Sequence, residues 1–231
     1  NHLKGLKDQS THNQLSPRIG MNYRPTENWS LYANYGEAFS MNSGMSRTLE
    51  TFEPETAKSY EVGSKWQWAD ANTLSLAWFD MRKNNVLMTD AIDPNFEAAA
   101  GEVSSRGVEF DLIMQLNEQL KLSANYAWVD AKVTKDKLIA KGAPLTNVPE
   151  HSANINVVYE PWYSIGLMAN FSYVGSRSGD SPTNVMNGFR LPAYQLVDVG
   201  AYYQATPELR YQLNIHNLLD ESYYRSSYSH L

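Results

Sequence analysis

The stretch that decides the fold is Arg106-Gly107-Val108-Glu109-Phe110-Asp111-Leu112-Ile113-Met114-Gln115-Leu116. From Val108 onward, apolar residues take one set of alternate positions and polar residues take the other, with Ile113 as the exception. Successive side chains of a β-strand point to opposite faces, so this pattern predicts a strand with one oily and one polar face. A strand of about ten residues with two such faces is typical of a transmembrane β-barrel.

The same alternation recurs along the chain and predicts ten strands in all. It is clear at residues 29–36, 120–128, 152–159 and 209–216, and weaker at residues 19–23, 60–68, 165–174 and 194–203. Residues 73–82 are ambiguous, because Leu74, Leu76 and Trp78 compete with Ala77, Phe79 and Met81 for the lipid face. Bilayer hydrocarbon offers no hydrogen-bond partners, so such strands must pair with one another.

The connections between these segments alternate between short turns and long polar loops. The short ones are residues 24–28, 69–72, 117–119, 160–163 and 205–208, and the long ones are 40–57, 83–105, 132–150 and 176–192. Bacterial outer-membrane barrels have short periplasmic turns and longer extracellular loops, with aromatic girdles at both interfaces. The sequence therefore predicts an all-β fold, an antiparallel transmembrane β-barrel segment that crosses the bacterial outer membrane several times and contacts its lipid.

Composition restricts the alternatives. The 231 residues include no cysteine and carry a formal net charge of −6, and the mean hydropathy is −0.48. The absence of cysteine excludes a disulfide scaffold and a thiolate metal site. A nucleic-acid partner is disfavoured, because phosphate binding needs concentrated Lys and Arg. A negative mean hydropathy is compatible with a barrel, whose apolar residues occupy only alternate strand positions.

Six short motifs give the chain a more specific resemblance. They are Ser16-Pro17-Arg18-Ile19-Gly20; residues 29–35 followed by Phe39; Glu53-Pro54-Glu55-Thr56 with Tyr60-Glu61-Val62-Gly63 and Lys65; Gly101-Glu102-Val103 with residues 105–109; Asn147-Val148-Pro149 with His151; and Asn217-Leu218-Leu219-Asp220 with Tyr223-Tyr224. In this order they resemble the barrel of TonB-dependent siderophore receptors, over the chain from about Ser16 onward.

The resemblance implies a domain assignment. Residues 1–231 would form the C-terminal part of a barrel of about twenty-two strands. The plug domain, the TonB box, the earlier strands and one last strand would lie outside this sequence. The implied partners are a ferric siderophore and, through those absent N-terminal regions, the TonB-ExbB-ExbD energy-coupling complex. No resident cofactor is implied, because the ferric siderophore would be the transported ligand.

Catalytic chemistry finds little support in the sequence. The five histidines are scattered without ligand spacing, and Gly175-Ser176-Arg177-Ser178-Gly179 carries Arg177 where a nucleophile elbow needs serine. Asp90, Asp93 and Asn95 lie close together and form a weak calcium candidate, without the glycine and terminal glutamate of an EF-hand loop. We therefore expect neither an enzyme nor a metal site.

Aromatic residues in or beside the long loops are the better candidates for ligand binding. The resemblance implies an aromatic vestibule for the ferric chelate, and the candidate residues are Phe39, Phe52, Phe96, Phe189, Tyr223 and Tyr224. For Phe52, Phe96 and Phe189, ligand contact and simple loop packing are equally good interpretations. For Tyr173 and Tyr194 the outer aromatic girdle is the better one.

Three classes of function remain at this stage. The first is energised uptake of a ferric siderophore through the outer membrane. The second is a passive porin or a TonB-dependent receptor for a non-siderophore ligand such as cobalamin, haem or a glycan. The third is an outer-membrane protease or phospholipase, for which a constellation of serine, histidine and acid should be visible at the strand tops and is not.

Overall fold

A computed structural model describes residues 14–69, 71–90, 92–93, 95–136, 140–180 and 188–227. Within these residues the chain forms one antiparallel sheet of ten strands, in the order β1-β2-β3-β4-β5-β6-β7-β8-β11-β12, and one small two-stranded sheet of β9 and β10. The strands are β1 (Arg18–Thr26), β2 (Trp29–Ser40), β3 (Glu55–Trp68), β4 (Asn72–Thr89), β5 (Glu97–Asn117), β6 (Leu120–Lys135), β7 (His151–Trp162), β8 (Ile165–Val174), β9 (Arg177–Ser178), β10 (Arg190–Leu191), β11 (Tyr194–Thr206) and β12 (Leu209–Ile215). The predicted all-β segment with about ten strands is confirmed.

The register places the predicted oily residues on a single face, which we call the apolar face. Trp78 pairs with Val62 and with Val108, and Val108 pairs in turn with Trp128. The side chains at the other alternate positions of each strand point to the other side of the sheet, which we call the polar face. The ambiguous strand is settled by this register, because Leu74, Leu76 and Trp78 fall opposite Leu112, Phe110 and Val108 on the apolar face.

The predicted long loop at residues 83–105 is wrong in its extent. Pairing between β4 and β5 continues from Lys83 opposite Val103 to Thr89 opposite Glu97, and only residues 90–96 connect the two strands. The error has a physical reason. Strands that continue beyond the hydrocarbon no longer need an apolar face, so their alternation disappears while their backbone pairing persists.

Aromatic rings collect on the apolar face beside the short turns, as the sequence predicts for a girdle. Tyr23, Trp29, Trp66 and Tyr203 are all exposed there, and the rings of Trp66 and Trp68 stack with their centroids 4.7 Å apart. Amphipathic rings of this kind sit at the level of lipid head groups. Their large exposed area fits a surface that contacts membrane lipid.

The buried core is small and lies at the far end of the long strands. Val103, Val133 and Ala143 are buried together, with Val86, Met88 and Leu145 packed against them. The segment around Ala143 runs beside β6, since Val133 N donates to Ala143 O (2.9 Å) and Leu145 N donates to Ala131 O (3.0 Å). This core fixes one loop against the extracellular ends of β4, β5 and β6.

The described residues contain no helix with the length and apolar character needed to cross a membrane.

Candidate functional site

The polar face forms a wall on which aromatic rings lie over glycines. Tyr32 lies over Gly63, Phe79 over Gly107 and Tyr202 over Gly166, so a Cβ added at any of these glycines would overlap the ring. The missing side chains let the rings lie along the wall instead of projecting from it. The wall therefore keeps free space in front of β2 to β8 on the side that would face a lumen.

Three carboxylates lie on the same wall, where Glu109 and Asp111 are exposed and Glu61 is half-buried. Glu61, Glu109 and Asp111 all occupy polar-face positions, and none of the three forms an ion pair with any residue of the described ranges. A wetted wall tolerates such charges, because water solvates them. Their register places all three on the side that would face a lumen.

A concavity of about 340 Å³ opens at the extracellular ends of β1 to β4. Its floor is built from small side chains, and its rim includes Arg18 and an ion pair in which Lys83 Nζ lies 2.8 Å from Glu55 Oε1. Small residues leave room where a bulky ligand edge could enter, and the charged rim supplies hydrogen-bonding groups. The small residues of the floor are Gly36, Ala38, Ser40, Ala57 and Ser59.

A second feature of the extracellular end is the small sheet of β9 and β10, which holds the last described segment of the chain. Arg177 is 2% exposed, and its Nη2 atom donates to Tyr224 O (2.7 Å) and to Arg225 O (2.8 Å). Its guanidinium also lies 5.6 Å from the centroid of the Tyr194 ring. We call this arrangement the Arg177 clamp. It ties β9 to a segment 47 residues further along the chain.

Asn147 holds the same segment from the other side. Its Nδ2 donates to Ser227 O and its Oδ1 accepts from Ser227 N, both at 3.0 Å. Asn147 has a positive φ of 61°, a conformation that asparagine tolerates better than most residues. Three loops therefore converge at one corner of the extracellular end, and their backbone positions are fixed by hydrogen bonds.

The structure separates the predicted aromatic site residues. Phe39 lies at the edge of the 340 Å³ concavity, although its place in β2 opposite Thr56 gives it the parity of the apolar face. Phe52 is partly buried in the loop between β2 and β3, and Phe96 is partly buried at the β4–β5 hairpin. Asp90 N donates to Phe96 O (3.0 Å), which fixes the backbone of that hairpin.

The other three predicted residues gather near the Arg177 clamp. The Phe189 ring lies over Gly179 and is 51% exposed. The Tyr223 ring packs on Tyr194 with centroids 4.6 Å apart, and Tyr224 is exposed while its carbonyl is held by Arg177. No ring–ring contact joins two of the six predicted residues in the part of the chain that the structure describes. Their role in ligand binding stays a prediction.

The girdle prediction is wrong for Tyr194. Its register opposite Val174 places it on the polar face, and its ring contacts Tyr223 rather than lipid. Tyr173 pairs with Ala153 and has the parity of the apolar face, as a girdle residue should. Tyr194 is the first residue of β11. No strand residue precedes it, so the alternating pattern does not continue on its N-terminal side to indicate which face it occupies.

The candidate calcium ligands are engaged in local hydrogen bonds instead. Asp90 Oδ1 accepts from Ile92 N (2.8 Å) and Asp93 N (3.1 Å), while Asp90 Oδ2 accepts from Arg47 Nε (2.9 Å). These bonds, first of all the one from the Ile92 amide, hold the pKa of the Asp90 carboxyl below its ordinary value. No group of three or more possible ligands in the described ranges could hold a metal ion; His2, His12 and His230 lie outside them.

The sequence did not predict that Arg177, Asn147 and Ser227 come together at one site. The motif around Asn147 resembles the receptor family, but nothing in the local sequence indicates contacts to residues 224–227. Only the register of neighbouring strands brings these segments together. The useful signal was the cluster of glycine and serine at residues 175–179, which permits a tight hairpin.

Comparison with known proteins agrees with the geometry of this wall and its loops. Residues 4–218 match the family described as TonB dependent receptor-like, beta-barrel. The chain belongs to this family. Its members are outer-membrane receptors and transporters, and the resemblance read from the six motifs is confirmed.

Three of the similar proteins are named as receptors for a metal chelate or a siderophore. The metal-pseudopaline receptor CntO of Pseudomonas aeruginosa (strain UCBPP-PA14) is 39% identical over 99% of this chain and 33% of its own length. Among solved structures, the siderophore receptor PiuA of Acinetobacter baumannii superposes with a TM-score of 0.77 at 28% identity, over 92% of this chain and 32% of PiuA. The ferric-catecholate import receptor Fiu of K12 E. coli gives a TM-score of 0.76 at 25% identity, over 92% of this chain and 32% of Fiu. This chain thus spans about a third of the length of these relatives.

Proposed function

We propose that the full-length protein takes up a metal–siderophore complex through the outer membrane. The observation that carries the proposal is family membership over residues 4–218, together with relatives such as CntO, PiuA and Fiu, whose names specify a metal chelate or a siderophore. Residues 1–231 would form the C-terminal part of the barrel. A plug domain and further strands would come from the rest of the protein.

The wall and the loops suit this function physically. A ferric siderophore is bulky and partly apolar, so it needs an open path with polar walls and a mouth that desolvates its edges. The glycine-backed rings keep the wall flat, and the 340 Å³ concavity offers small residues beside charged groups. The chain binds and conducts in this scheme, and it performs no covalent chemistry on the ligand.

Energy for uptake would come from the inner membrane through TonB, with ExbB and ExbD as its partners. The family is named for dependence on TonB, and coupling would run through segments outside residues 1–231. A passive porin is not favoured, because the relatives are receptors for specific chelates rather than general diffusion channels.

The test is uptake by the full-length receptor in a Gram-negative strain without its own siderophore receptors. Cells are given radioactive iron as ferrichrome, ferrioxamine or a ferric catecholate, and separately a metal–pseudopaline complex. We expect accumulation of at least one complex, with surface binding but no accumulation when TonB is deleted. Accumulation that survives the loss of TonB would indicate a porin, and failure to bind any of the four complexes would contradict the proposal.

A further inference from the structure

The apolar face changes character abruptly at its extracellular end. One row of paired residues reads Val62, Trp78, Val108 and Trp128, and the row directly above it reads Tyr60, Asp80, Arg106 and Asp130. The next row contains Lys58, Arg82, Ser104 and Lys132. Rings such as Trp78 and Trp128 mark the level of the head groups. The charged rows therefore begin where hydrocarbon ends, on the side that faces lipid.

Three strands carry this charged surface well past the membrane. β4 has 18 residues, β5 has 21 and β6 has 16, whereas a tilted strand needs only about 9–11 residues to cross the hydrocarbon. The small core around Val133 stiffens the projecting part. Its outward surface is thus a fixed structure that rises beside the outer leaflet, in continuity with the lipid-facing band.

A concavity of about 280 Å³ lies in this surface. Five of its nine lining residues are cationic and two are anionic, which contrasts with the net charge of −6 for the whole chain. The cations are Arg82, Arg106, Lys132, Lys135 and Lys141; the carboxylates belong to Asp80 and Glu102; and Thr134 and Ser104 complete the lining. We call these residues the basic cleft.

Carboxylates in and beside the basic cleft hold the cations in place without neutralising all of them. Asp130 Oδ2 lies 3.0 Å from Arg106 Nη2 and 2.6 Å from Lys132 Nζ, so one carboxylate is shared by two cations. Arg82, Arg106 and Lys135 remain 59%, 51% and 77% exposed. Lys141 forms no ion pair within the described ranges. Donors therefore remain available to an incoming anion.

We propose that the basic cleft binds the phosphate groups of outer-leaflet glycolipid. A phosphorylated head group at this height presents anionic oxygens directly beside Arg and Lys, and charge-assisted hydrogen bonds to phosphate are among the stronger ones in proteins. Its acyl chains would pack below on the row of Trp78, Val108 and Trp128. This site is separate from the transport path, because it lies on the opposite face of the sheet from the polar wall.

The experiment uses the full-length receptor, purified in detergent and incubated with bis-phosphorylated lipid A, with lipid bound after gel filtration measured by mass spectrometry. The variant Arg82→Gln/Lys132→Gln/Lys141→Gln removes three cations of the cleft. Its matched control is Lys83→Gln, which removes the next cation along β4 but on the polar face, where Lys83 pairs with Glu55. We expect the triple variant to lose at least about tenfold in lipid A retention, since each basic residue near an anionic lipid surface contributes roughly fivefold in binding.

Folding is checked independently through Lys141→Gln, a substitution in a turn outside the strands, which should weaken lipid A retention while leaving the heat-modifiable mobility of the barrel unchanged. Dephosphorylated lipid A should bind wild-type receptor as weakly as lipid A binds the triple variant. Equal retention of lipid A by the triple variant and by Lys83→Gln would overturn the proposal. Displacement of lipid A by inorganic phosphate at equal phosphate concentration would also overturn it, because the cleft would then be a site for soluble anions.

Discussion

Tyr32 lies across Gly63, its direct partner in the register between β2 and β3. The three atoms nearest to a Cβ at position 63 all belong to the Tyr32 side chain, whereas a Cβ at position 107 would meet the carbonyl oxygen of Trp128 as well as the Phe79 ring. A ring can swing away into free space, but a backbone carbonyl cannot move without separating two strands. The two glycines thus serve the wall in different ways.

Alanine substitutions should separate these two roles. We expect Gly107→Ala to destabilise the barrel by roughly 1–3 kcal/mol, the range for overpacking in a packed structure, and Gly63→Ala to cost less because Tyr32 can rotate. Gly36→Ala is the matched control, since a Cβ there would be 3.5 Å from its nearest neighbour, Ser59 Oγ. Urea unfolding of the full-length receptor measures the order. Equal loss for all three variants would show that crowding at these glycines is not the cause.

Arginine substitutions on either side of one strand test the assignment of faces. Leu76→Arg or Phe110→Arg places a charge on the apolar face at mid-membrane, which costs roughly 2–4 kcal/mol, while Asp111→Arg and Ala77→Arg fall on the wet polar face. We expect folded yield in the outer membrane to fall sharply for the first pair and little for the second. Folded yield is measured by heat-modifiable mobility at matched expression. The opposite order of yields would mean that the faces are reversed, and equal yields would contradict the assignment of one face to lipid and the other to water.

The fold was predictable from sequence wherever lipid imposes a two-residue period, and less so elsewhere. Apolar and polar residues alternate at 106–116 because one face contacts lipid and the other contacts water. Residues 83–89 and 97–104 pair equally well without any apolar pattern. In β4 the choice between Trp78 and Phe79 needed the neighbouring strand, since both are aromatic. The Arg177 clamp was not predictable, because its partners lie 47 and 48 residues away and accept through backbone carbonyls that carry no side-chain signature.

The Arg177 clamp should order the last described segment of the chain. Arg177→Met keeps much of the apolar stem but leaves the carbonyls of Tyr224 and Arg225 without this donor, and a hydrogen bond from a charged group contributes roughly 1.5–3 kcal/mol. We expect faster hydrogen exchange at residues 221–227 in the full-length receptor, with exchange in β11 unchanged. Arg190→Met is the control, as that exposed side chain donates hydrogen bonds to Ser176 alone among the residues that the structure describes. Similar exchange in both variants would assign the ordering to Asn147 instead.

Asp90 should make the β4–β5 hairpin sensitive to acid. Its pKa is lowered in the folded state, so its contribution is complete above its ordinary pKa of roughly 4 and is lost as the pH falls through the lowered value. Exchange of the Ile92 and Asp93 amides, corrected for intrinsic rates, should accelerate over that acidic range. In Asp90→Asn it should already be faster at pH 7 and lose its extra pH dependence. Wild-type exchange rates in this variant at pH 7 would show that the carboxylate does not hold the turn.

The aromatic residues of the loops provide the last prediction, which rests on the proposed transport of a metal chelate. Phe52, Phe96 and Phe189 do not contact one another's rings in the described structure, so any contact with ligand should be additive rather than cooperative. Replacing all three by alanine should weaken chelate binding by at least about 1 kcal/mol for each ring that touches ligand.

Binding of the chelate to whole cells at matched receptor levels measures this loss, first for the triple variant and then for each single variant. Tyr163→Ala is the control, because Tyr163 is 99% exposed at a turn on the opposite end of the sheet and cannot reach a ligand at the mouth. A loss confined to Phe189→Ala would place the ligand beside the Arg177 clamp, where the Phe189 ring covers Gly179. Unchanged affinity in the triple variant would assign all three rings to loop packing, and the 340 Å³ concavity beside Arg18 and Lys83 would then be the next place to substitute.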